Sequence, residues 1–320
     1  MKTKSFLKLS FAIAALAIGV TSCENETETT NQETTVAEIP EKIIPVSKAI
    51  NEYNNFYNTR VASFQNETAA KDNRAVWYDL QTLEKYLQKI ETIAQQKGIE
   101  ITNLGFVLGA DHNNKRTVFL APMTFDSELG INRAFSIDND KITFLHASPF
   151  DNHSKITDQV KFATTNQSLI LSSDGYISSD KAITMYNNYY DSKLKPLTDV
   201  IKNDTRICFY EKGVFKNYLA YIKQQAANNH ISVSGINIVF GVYGKDASFG
   251  AYANHQTLFF APTTSEAKSQ NNNSSYTLVD NEMIILDFSK THLEKIVSKF
   301  NSLGSTSIAN EVTGTPPMGR

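Results

Sequence analysis

The chain has 320 residues, of which 41% are hydrophobic and 20% charged, and its formal net charge is −2. This nearly balanced charge provides no basic patch for nucleic acids or anionic lipid headgroups, so we expect no nucleic-acid partner. The length exceeds the usual size of one domain, which predicts one large or two modest domains.

The chain begins with the order of residues found in secretory signals. Three lysines without any acid precede an apolar run from Phe11 to Val20 that ends in small residues. The lysines are Lys2, Lys4 and Lys8. A membrane-spanning helix needs about 20 apolar residues, and this run is shorter. We therefore predict a cleaved signal peptide at residues 1–22, whose removal takes three lysines and changes the formal charge from −2 to −5.

The predicted cleavage point carries a second signal. Val20-Thr21-Ser22-Cys23 resembles the bacterial lipobox, in which a branched aliphatic residue and two small residues precede an obligatory cysteine. The resemblance implies a lipoprotein that is cleaved before Cys23 and anchored to a membrane through acyl chains on this residue. Two or three chains suffice for a stable anchor, because each buried methylene contributes roughly 0.8 kcal/mol. The alternative is a plain signal peptide followed by a chance cysteine.

Residues 23–46 are rich in Glu and Thr and begin without large apolar side chains. We predict that they form a disordered acidic tether, because such a segment cannot offset the entropy lost on ordering. The acids that directly follow Cys23 resemble the export signal of Bacteroidota lipoproteins. This resemblance implies that the protein is anchored in the outer membrane. Exposure on the outer face of that membrane is a further implication. The alternative is that these residues only keep the tether in solution.

The rest of the chain contains two diverged copies of one sequence. The matched stretches are 47–57 with 180–190, 72–109 with 204–241, and 117–122 with 257–262. The second copy carries about eight additional residues around Gly244 to Asn254, where a loop tolerates insertion. The sequence therefore predicts an internal duplication, and differences between the copies mark places where function was added.

Each copy is predicted to form an α+β unit of helix, short strand, helix and small antiparallel meander, with the helices on one sheet face. The two units are expected to be related by pseudo-symmetry. The predicted boundaries are 47–150 for repeat 1, 151–179 for a linker with a hairpin at Asp174-Gly175, 180–303 for repeat 2 with a C-terminal helix, and 304–320 for a flexible tail.

Capping residues set the predicted helix starts. Ser47 or Asp180 caps the first helix of each copy, and the second helix begins after Asp79 or Glu211. In each copy a strand of alternating residues then leads to a buried strand. Because proline lacks the N–H that a strand ladder needs, we expect that buried strand to end at Pro122 in one copy and at Pro262 in the other.

Both copies resemble a repeat of tandem-repeat lipoproteins of Bacteroidota to which no activity is assigned. The shared features are a Trp/Phe-Tyr strand, a helix with a Tyr-Leu pair, a strand ending in Gly and an Ala-Pro strand end. In the first copy these are Trp77-Tyr78, Tyr86-Leu87, Gly109 and Ala121-Pro122. The resemblance covers most of residues 47–290 and implies no catalytic activity.

Charged residues and cysteines offer few candidates for chemistry. Asp72-x-Arg74 and Asp204-x-Arg206 place opposite charges two residues apart, which favours a structural ion pair or a hydrogen-bonded bracket over an anion-binding clamp. If Cys23 is lipidated, Cys208 is left without a disulfide partner. Its position in an apolar strand predicts a small buried residue rather than a nucleophile.

The remaining candidates are histidines and aromatic stripes. His112 and His255 both precede a Thr-x-Phe strand, where a shared site is conceivable, but solvated loop histidines are favoured. The aromatic stripes are Tyr53-Phe56-Tyr57 and Tyr186-Tyr189-Tyr190. At helical spacing they predict core packing, with the lining of a sugar or peptide cleft as the alternative.

Three functions follow from these observations. We favour a non-enzymatic lipoprotein that binds a protein, peptide or glycan through its loops and the groove between its two halves. The alternatives are an envelope hydrolase whose residues converge from distant loops, and an inhibitor or immunity protein that neutralises a toxin at the membrane. The sequence assigns no catalytic, cofactor-binding or metal-binding residue. Cys23, the predicted point of membrane attachment, is the one site residue that it assigns.

Overall fold

The protein is described by a computed structural model. The described residues are 39–64, 72–127, 130–138, 141–144, 177–201, 204–265, 273–279, 281–293, 306–310 and 313–315. The predicted signal peptide, Cys23 and the tether up to residue 38 lie outside these ranges. So do the hairpin at Asp174-Gly175 and the C-terminal helix predicted before residue 304.

The described chain is an α+β structure, as predicted. Its first half, residues 39–144, contains α1 (Val46–Phe56), β1 (Ala75–Asp79), α2 (Leu80–Gln96), β2 (Asn103–Ala110), β3 (Arg116–Asp126), β4 (Ile131–Asp138) and β5 (Lys141–Phe144). Its second half, residues 177–293, contains α3 (Ser179–Tyr189), β6 (Ile207–Glu211), α4 (Lys212–Asn228), β7 (Gly235–Val242), β8 (Gln256–Thr264), β9 (Ser274–Val279) and β10 (Glu282–Leu286). Strand β11 (Thr313–Thr315) follows.

Two antiparallel sheets share their strands between the halves. Sheet 1 has the order β1-β7-β8-β9-β10, and sheet 2 has the order β11-β6-β2-β3-β4-β5. In sheet 1, Trp77 of β1 lies opposite Asn237 of β7. In sheet 2, Cys208 of β6 lies opposite Phe106 of β2. Sheet 1 consists mainly of strands from the second half, and sheet 2 mainly of strands from the first half. The short strands β1 and β6 are exchanged, because each joins the sheet of the other half.

The helices α1 and α3 are exchanged in the same way. Helix α1 packs on the outer face of sheet 1, where its apolar stripe meets Val239 and Phe259. Helix α3 packs on the outer face of sheet 2, where Tyr186 meets Val107. Each helix thus covers the sheet formed mainly by the opposite half of the chain.

Glycine allows these helices to approach their strands closely. A Cβ atom on Gly241 would lie 3.2 Å from Cβ of Glu52 in α1, and one on Gly109 would lie 3.3 Å from Cβ of Met185 in α3. These contacts are tighter than ordinary side-chain packing. The glycine that ends the alternating strand in each half therefore sets the depth of the helix.

The inner faces of the two sheets meet in one apolar core together with α2 and α4. The ring centroids of Phe106 in sheet 2 and Phe260 in sheet 1 are 4.8 Å apart. The Tyr86 hydroxyl of α2 donates to the Leu120 carbonyl at 3.0 Å. Helices therefore cover both faces of each sheet, and the prediction of helices on one face is wrong. A sheet that is apolar on both faces must be covered on both.

Both first helices begin two residues earlier than predicted. Helix α1 begins at Val46 after Pro45, which has the extended conformation of an N-cap but no capping side chain. Helix α3 begins at Ser179, and the Ser178 hydroxyl accepts a bond from the Lys181 amide. Ser47 and Asp180 are therefore inside their helices, where their side chains do not cap the first turn.

The second helices begin where the sequence predicted. Helix α2 follows Asp79, whose carboxylate accepts a bond from the Thr82 amide at 2.7 Å. Helix α4 follows Glu211, which has no capping bond from its side chain. One of the two predicted starts is therefore fixed by a cap, and the other depends on the packing of the apolar stripe of α4.

The buried strands do not end at their prolines. Pro122 lies inside β3, opposite Leu104, and Pro262 lies inside β8, opposite Ile236. Two residues before Pro122, the Leu120 carbonyl faces away from β2 and accepts the Tyr86 hydroxyl. Residues two apart in a strand direct their backbone N–H and C=O groups to the same side. At Pro122, where the N–H is missing, this side of β3 faces away from β2 and is not paired with another strand.

Residues 306–310 are buried, which corrects the prediction of a flexible tail from residue 304. The segment lies along β8, where Phe260 and Ala309 exchange both backbone bonds. Its other side meets the start of the described chain, because the Ile44 amide donates to the Ile308 carbonyl at 2.9 Å. The predicted tether is therefore also wrong near its end, where Ile43 and Ile44 are part of the core. Backbone pairing and apolar burial together order both segments.

The buried C-terminal segment predicts a large effect of truncating Ile308, which is fully buried. Ile308→Ala should lower the free energy of unfolding by about 2–5 kcal/mol, because it removes buried methyl groups and leaves a cavity. Ile39→Ala is the matched control, since Ile39 is 53% exposed. Urea unfolding of both variants measures the difference. Equal stability of the two variants would contradict the burial of this segment.

Candidate functional site

A buried carboxylate precedes the exchanged strand β1. Asp72 accepts a bond from the Arg116 amide at 2.7 Å, and its other oxygen contacts the Arg116 guanidinium and lies 2.7 Å from Nζ of Lys193. Lys193 belongs to the second half. Burial lowers the pKa of Lys193, as does the nearby Arg116, while Asp72 raises it. The pair thus joins the halves within a desolvated site.

A second buried carboxylate, Asp204, precedes the exchanged strand β6. It accepts bonds from the Gln256 amide at 2.9 Å and from the Gln256 side chain at 2.8 Å. Nε of Arg60, in the first half, lies 2.6 Å from Oδ2 of Asp204, the oxygen that also accepts the Gln256 side chain. The Gln256 side chain in turn accepts the Tyr189 hydroxyl, and burial raises the pKa of Tyr189 to about 12.

The two clusters use corresponding positions in the two halves. Each cation lies in a π-helical turn that continues the first helix, Tyr57–Val61 for Arg60 and Tyr190–Leu194 for Lys193. Such turns are rare, and they occur mostly as single turns within α-helices. Because each cation meets the carboxylate of the opposite half, the exchange of secondary structure is matched by an exchange of ion pairs.

The ion pairs predicted within each Asp-x-Arg motif do not form. The Arg74 guanidinium donates to the Ser289 carbonyl at 2.7 Å, and Arg206 lies over the Tyr186 ring, 3.4 Å from its centroid. The carboxylates of the two motifs bind other cations, as described above. The motifs have a structural role, as predicted, but their partners come from distant segments.

Other predicted candidates occupy separate places. His255 lies 3.9 Å from Asp204, and burial lowers its pKa more than the carboxylate raises it. His112 is exposed in a turn on the first half. Cys208 is fully buried and free, as predicted, and burial raises the pKa of its thiol. The aromatic stripes are mainly core, with Tyr53 and Tyr189 fully buried. We find no shared site formed by these residues.

A cleft of about 560 Å³ opens on the outer face of sheet 1, beyond the end of α1. It is lined by Asp72, Asn73, Arg74, Ala75, Asn237, Asn273, Ser274, Ser275, Ile285, Leu286, Asp287, Phe288 and Ser289. Both halves of the chain contribute to this lining, because β1 and the residues before it are exchanged into sheet 1. Asparagine and serine dominate, and the charges of Arg74 and Asp287 are of opposite sign.

Trp77 borders the cleft and is held in place. Its indole N–H donates to Oγ1 of Thr263 at 3.0 Å, and 41% of the residue remains exposed. The ring rests on Gly235, where an added Cβ would lie 2.6 Å from Nε1 of Trp77. Asn237, which faces Trp77 across the two strands, is oriented by a 2.7 Å bond to Ser275. An exposed aromatic ring and an oriented amide therefore stand side by side.

The corresponding place on sheet 2 is apolar. Phe209, Gly105 and Met123 occupy the positions that match Trp77, Asn237 and Thr263. Met123 is buried against Gly105, where a Cβ would lie 3.1 Å from its sulfur, and it packs with residues of α3. The three positions in and beside the cleft of sheet 1 thus differ from the matched positions of sheet 2, where the side chains are apolar or absent.

Sequence reasoning missed this cleft, although its signal was visible. The replacement of glycine and methionine by Asn237 and Thr263 at matched positions introduces polar groups into an apolar pattern. The difference singled out from the sequence was the insertion at Gly244 to Asn254. In the structure this loop lies over the buried ion pairs, where the Asn254 carbonyl accepts a bond from Arg60.

No protein-family model matches this chain, and no curated protein or solved structure is significantly similar to it.

Two further properties concern the described residues. No cluster of three or more His, Cys, Asp and Glu side chains in the described ranges could hold a metal ion. None of the helices described above combines the length and the apolar composition needed to cross a membrane.

The crossed ion pairs predict that Asp204→Asn is strongly destabilising. It should lower the free energy of unfolding by about 3–5 kcal/mol, because Arg60 is then left charged and buried without its carboxylate. Glu84→Gln is the matched control, since Glu84 pairs with Lys223 on the exposed surface and should change stability by less than about 1 kcal/mol. Urea unfolding measures both. A similar loss in the two variants would contradict the role of the buried pair.

Proposed function

We propose that the chain is a lipoprotein anchored through Cys23, whose body acts as a non-enzymatic binding module with the cleft on sheet 1 as its ligand site. The lipobox at Val20-Thr21-Ser22-Cys23 supports the anchor, and the acids after it support the outer membrane as its location. The cleft supports the binding role, because polar side chains converge there next to the exposed ring of Trp77.

We further propose that the body arose by duplication of one α+β unit with pseudo-symmetry. The order of α-helix, π-helical turn and 3₁₀ turn occurs at residues 46–64 and again at residues 179–197. Two tyrosines at matched positions, Tyr86 and Tyr218, donate to the matched carbonyls of Leu120 and Phe260. The two buried carboxylates also bind at matched positions. Asp72 accepts the amide of Arg116, the first residue of β3, and Asp204 accepts the amide of Gln256, the first residue of β8.

The observation that carries the binding proposal is the break in this correspondence at Trp77, Asn237 and Thr263. A duplicated fold needs similar packing at matched positions. Of the three departures, Asn237 lines the polar cleft, Trp77 lies beside it, and the buried Thr263 binds the Trp77 indole, whereas the matched Met123 packs in an apolar cluster. Polar side chains that converge on a concave site are the groups that orient a bound ligand, so their presence favours a role in binding.

The anchor predicts that Cys23→Ala changes the location of the protein. Expressed as the full precursor in its own cells, the unchanged chain should be found in the membrane fraction and should incorporate labelled palmitate. The Cys23→Ala variant should lose the label and leave the membrane fraction, because no acyl chain remains to hold it. A variant that keeps both properties would contradict lipidation at this residue.

The cleft predicts that a bulky side chain at its rim blocks binding. Asn273 lines the cleft and is partly exposed, so Asn273→Trp should fill the opening without disturbing the core. Lys97→Trp, at the exposed end of α2, is the matched control. The body without its anchor is applied to arrays of glycans and peptides. We expect signals that Asn273→Trp reduces at least tenfold and Lys97→Trp leaves unchanged; equal signals would contradict the site.

A further inference from the structure

We infer that the cleft binds a neutral carbohydrate, with Trp77 as the platform on which one sugar ring stacks. The inference rests on the proposed role of the cleft as a ligand site and adds the class of ligand. Its first support is the composition of the site: asparagine and serine side chains line the cleft, and the exposed ring of Trp77 lies beside it, opposite the lining residue Asn237.

The chemistry of a sugar matches these groups. A sugar ring has an apolar C–H face that packs on an aromatic ring, and its hydroxyls both donate and accept hydrogen bonds. Asparagine and serine side chains likewise donate and accept. Asn237, Asn273 and Ser289 present such groups around the cleft next to Trp77.

The platform is preorganised before any ligand arrives. The bond from the Trp77 indole to Thr263 fixes one edge of the ring, and Oγ of Ser234 lies 2.9 Å from the same Thr263 oxygen. Gly235 provides the space beneath the ring. A side chain that is already ordered loses little entropy on binding, and more of the stacking energy then contributes to affinity.

Charged ligands fit the cleft less well. Arg74 and Asp287 oppose each other in sign, and the Arg74 guanidinium already donates to the Ser289 carbonyl and lies 5.0 Å from the centroid of the Tyr57 ring. The Asp72 carboxylate is occupied by Arg116 and Lys193. The cleft therefore has no excess charge of one sign to select an anion or a cation.

A peptide added as an extra strand also fits poorly. Such a peptide pairs with the free edge of a sheet. The cleft lies over the face of sheet 1, and Asn237 and Ser275 belong to strands β7 and β9, which are paired on both sides. The centre of the lining thus offers side chains, while Ala75, Ile285 and Leu286 at its margins belong to the edge strands β1 and β10.

Trp77 is the one tryptophan of the chain, so its fluorescence reports directly on the proposed stacking site. The body without its anchor is titrated with neutral polysaccharides of defined linkage, namely α-glucan, β-glucan, mannan and galactan, and with an acidic polysaccharide and unrelated peptides. We expect at least one neutral polysaccharide to shift the emission in a saturable way and to protect Trp77 from quenching by acrylamide.

Calorimetry with that polysaccharide then separates stacking from general adhesion. Trp77→Ala should weaken binding at least tenfold, while Trp77→Phe, which keeps an aromatic face, should retain part of the affinity. Phe125→Ala removes another exposed ring, 55% exposed on β3, and should bind like the unchanged protein. Urea unfolding of each variant checks that the fold is kept.

Several results would overturn the inference. One is a neutral panel that gives no emission shift, and another is a Trp77→Ala variant with unchanged affinity. If only the peptides or the acidic polysaccharide bind, and Asn273→Trp abolishes that binding, the carbohydrate class is wrong while the cleft stands as a ligand site. If Asn273→Trp changes no binding at all, the proposed function itself fails.

Discussion

Two buried ion pairs cross between the halves of the chain, and the arrangement of the sheets depends on them. Arg60 reaches Asp204, and Lys193 reaches Asp72, in sites that are largely buried. Such pairs add little net stability compared with apolar side chains, but they strongly penalise any arrangement that leaves one charge unpaired. We therefore interpret them as the interactions that specify the exchange of helices and strands. The exchange in turn places β1 next to β7 and so assembles the cleft from both halves.

The secondary structure of the core could be predicted from local signals, but its assembly could not. The Asp79 cap and the apolar stripe of α2 fix a helix whatever its partner, because both act within a few residues. The partner of a short strand such as β1 depends on contacts more than a hundred residues away in sequence, and its local pattern is the same in either sheet. The partners of the buried charges could not be predicted from local sequence either, since Asp72 binds the distant Lys193 rather than the nearby Arg74.

The ends of the folded body and its cleft also depend on contacts between segments that are distant in sequence. The segment around Ile308 has too few apolar residues to predict burial, and it is ordered by backbone bonds to β8 and to residues near Ile44. The cleft was recognisable only by comparing matched positions. Asn237 and Thr263 are ordinary strand residues, and only the comparison with Gly105 and Met123 shows that polar side chains replace glycine and an apolar side chain. The duplication proposed above, followed by local change, would give a physical route from an apolar face to an open polar one.

Cleavage of the chain between its halves tests the exchange most directly. A protease site inserted after Val160 allows the folded body to be cut, and size-exclusion chromatography then shows whether the pieces remain together. We expect the two pieces to elute as one particle with the mass of the intact body and to separate only in denaturant, because each sheet contains strands from both pieces. Two pieces that separate in native buffer, each keeping its own sheet, would contradict it.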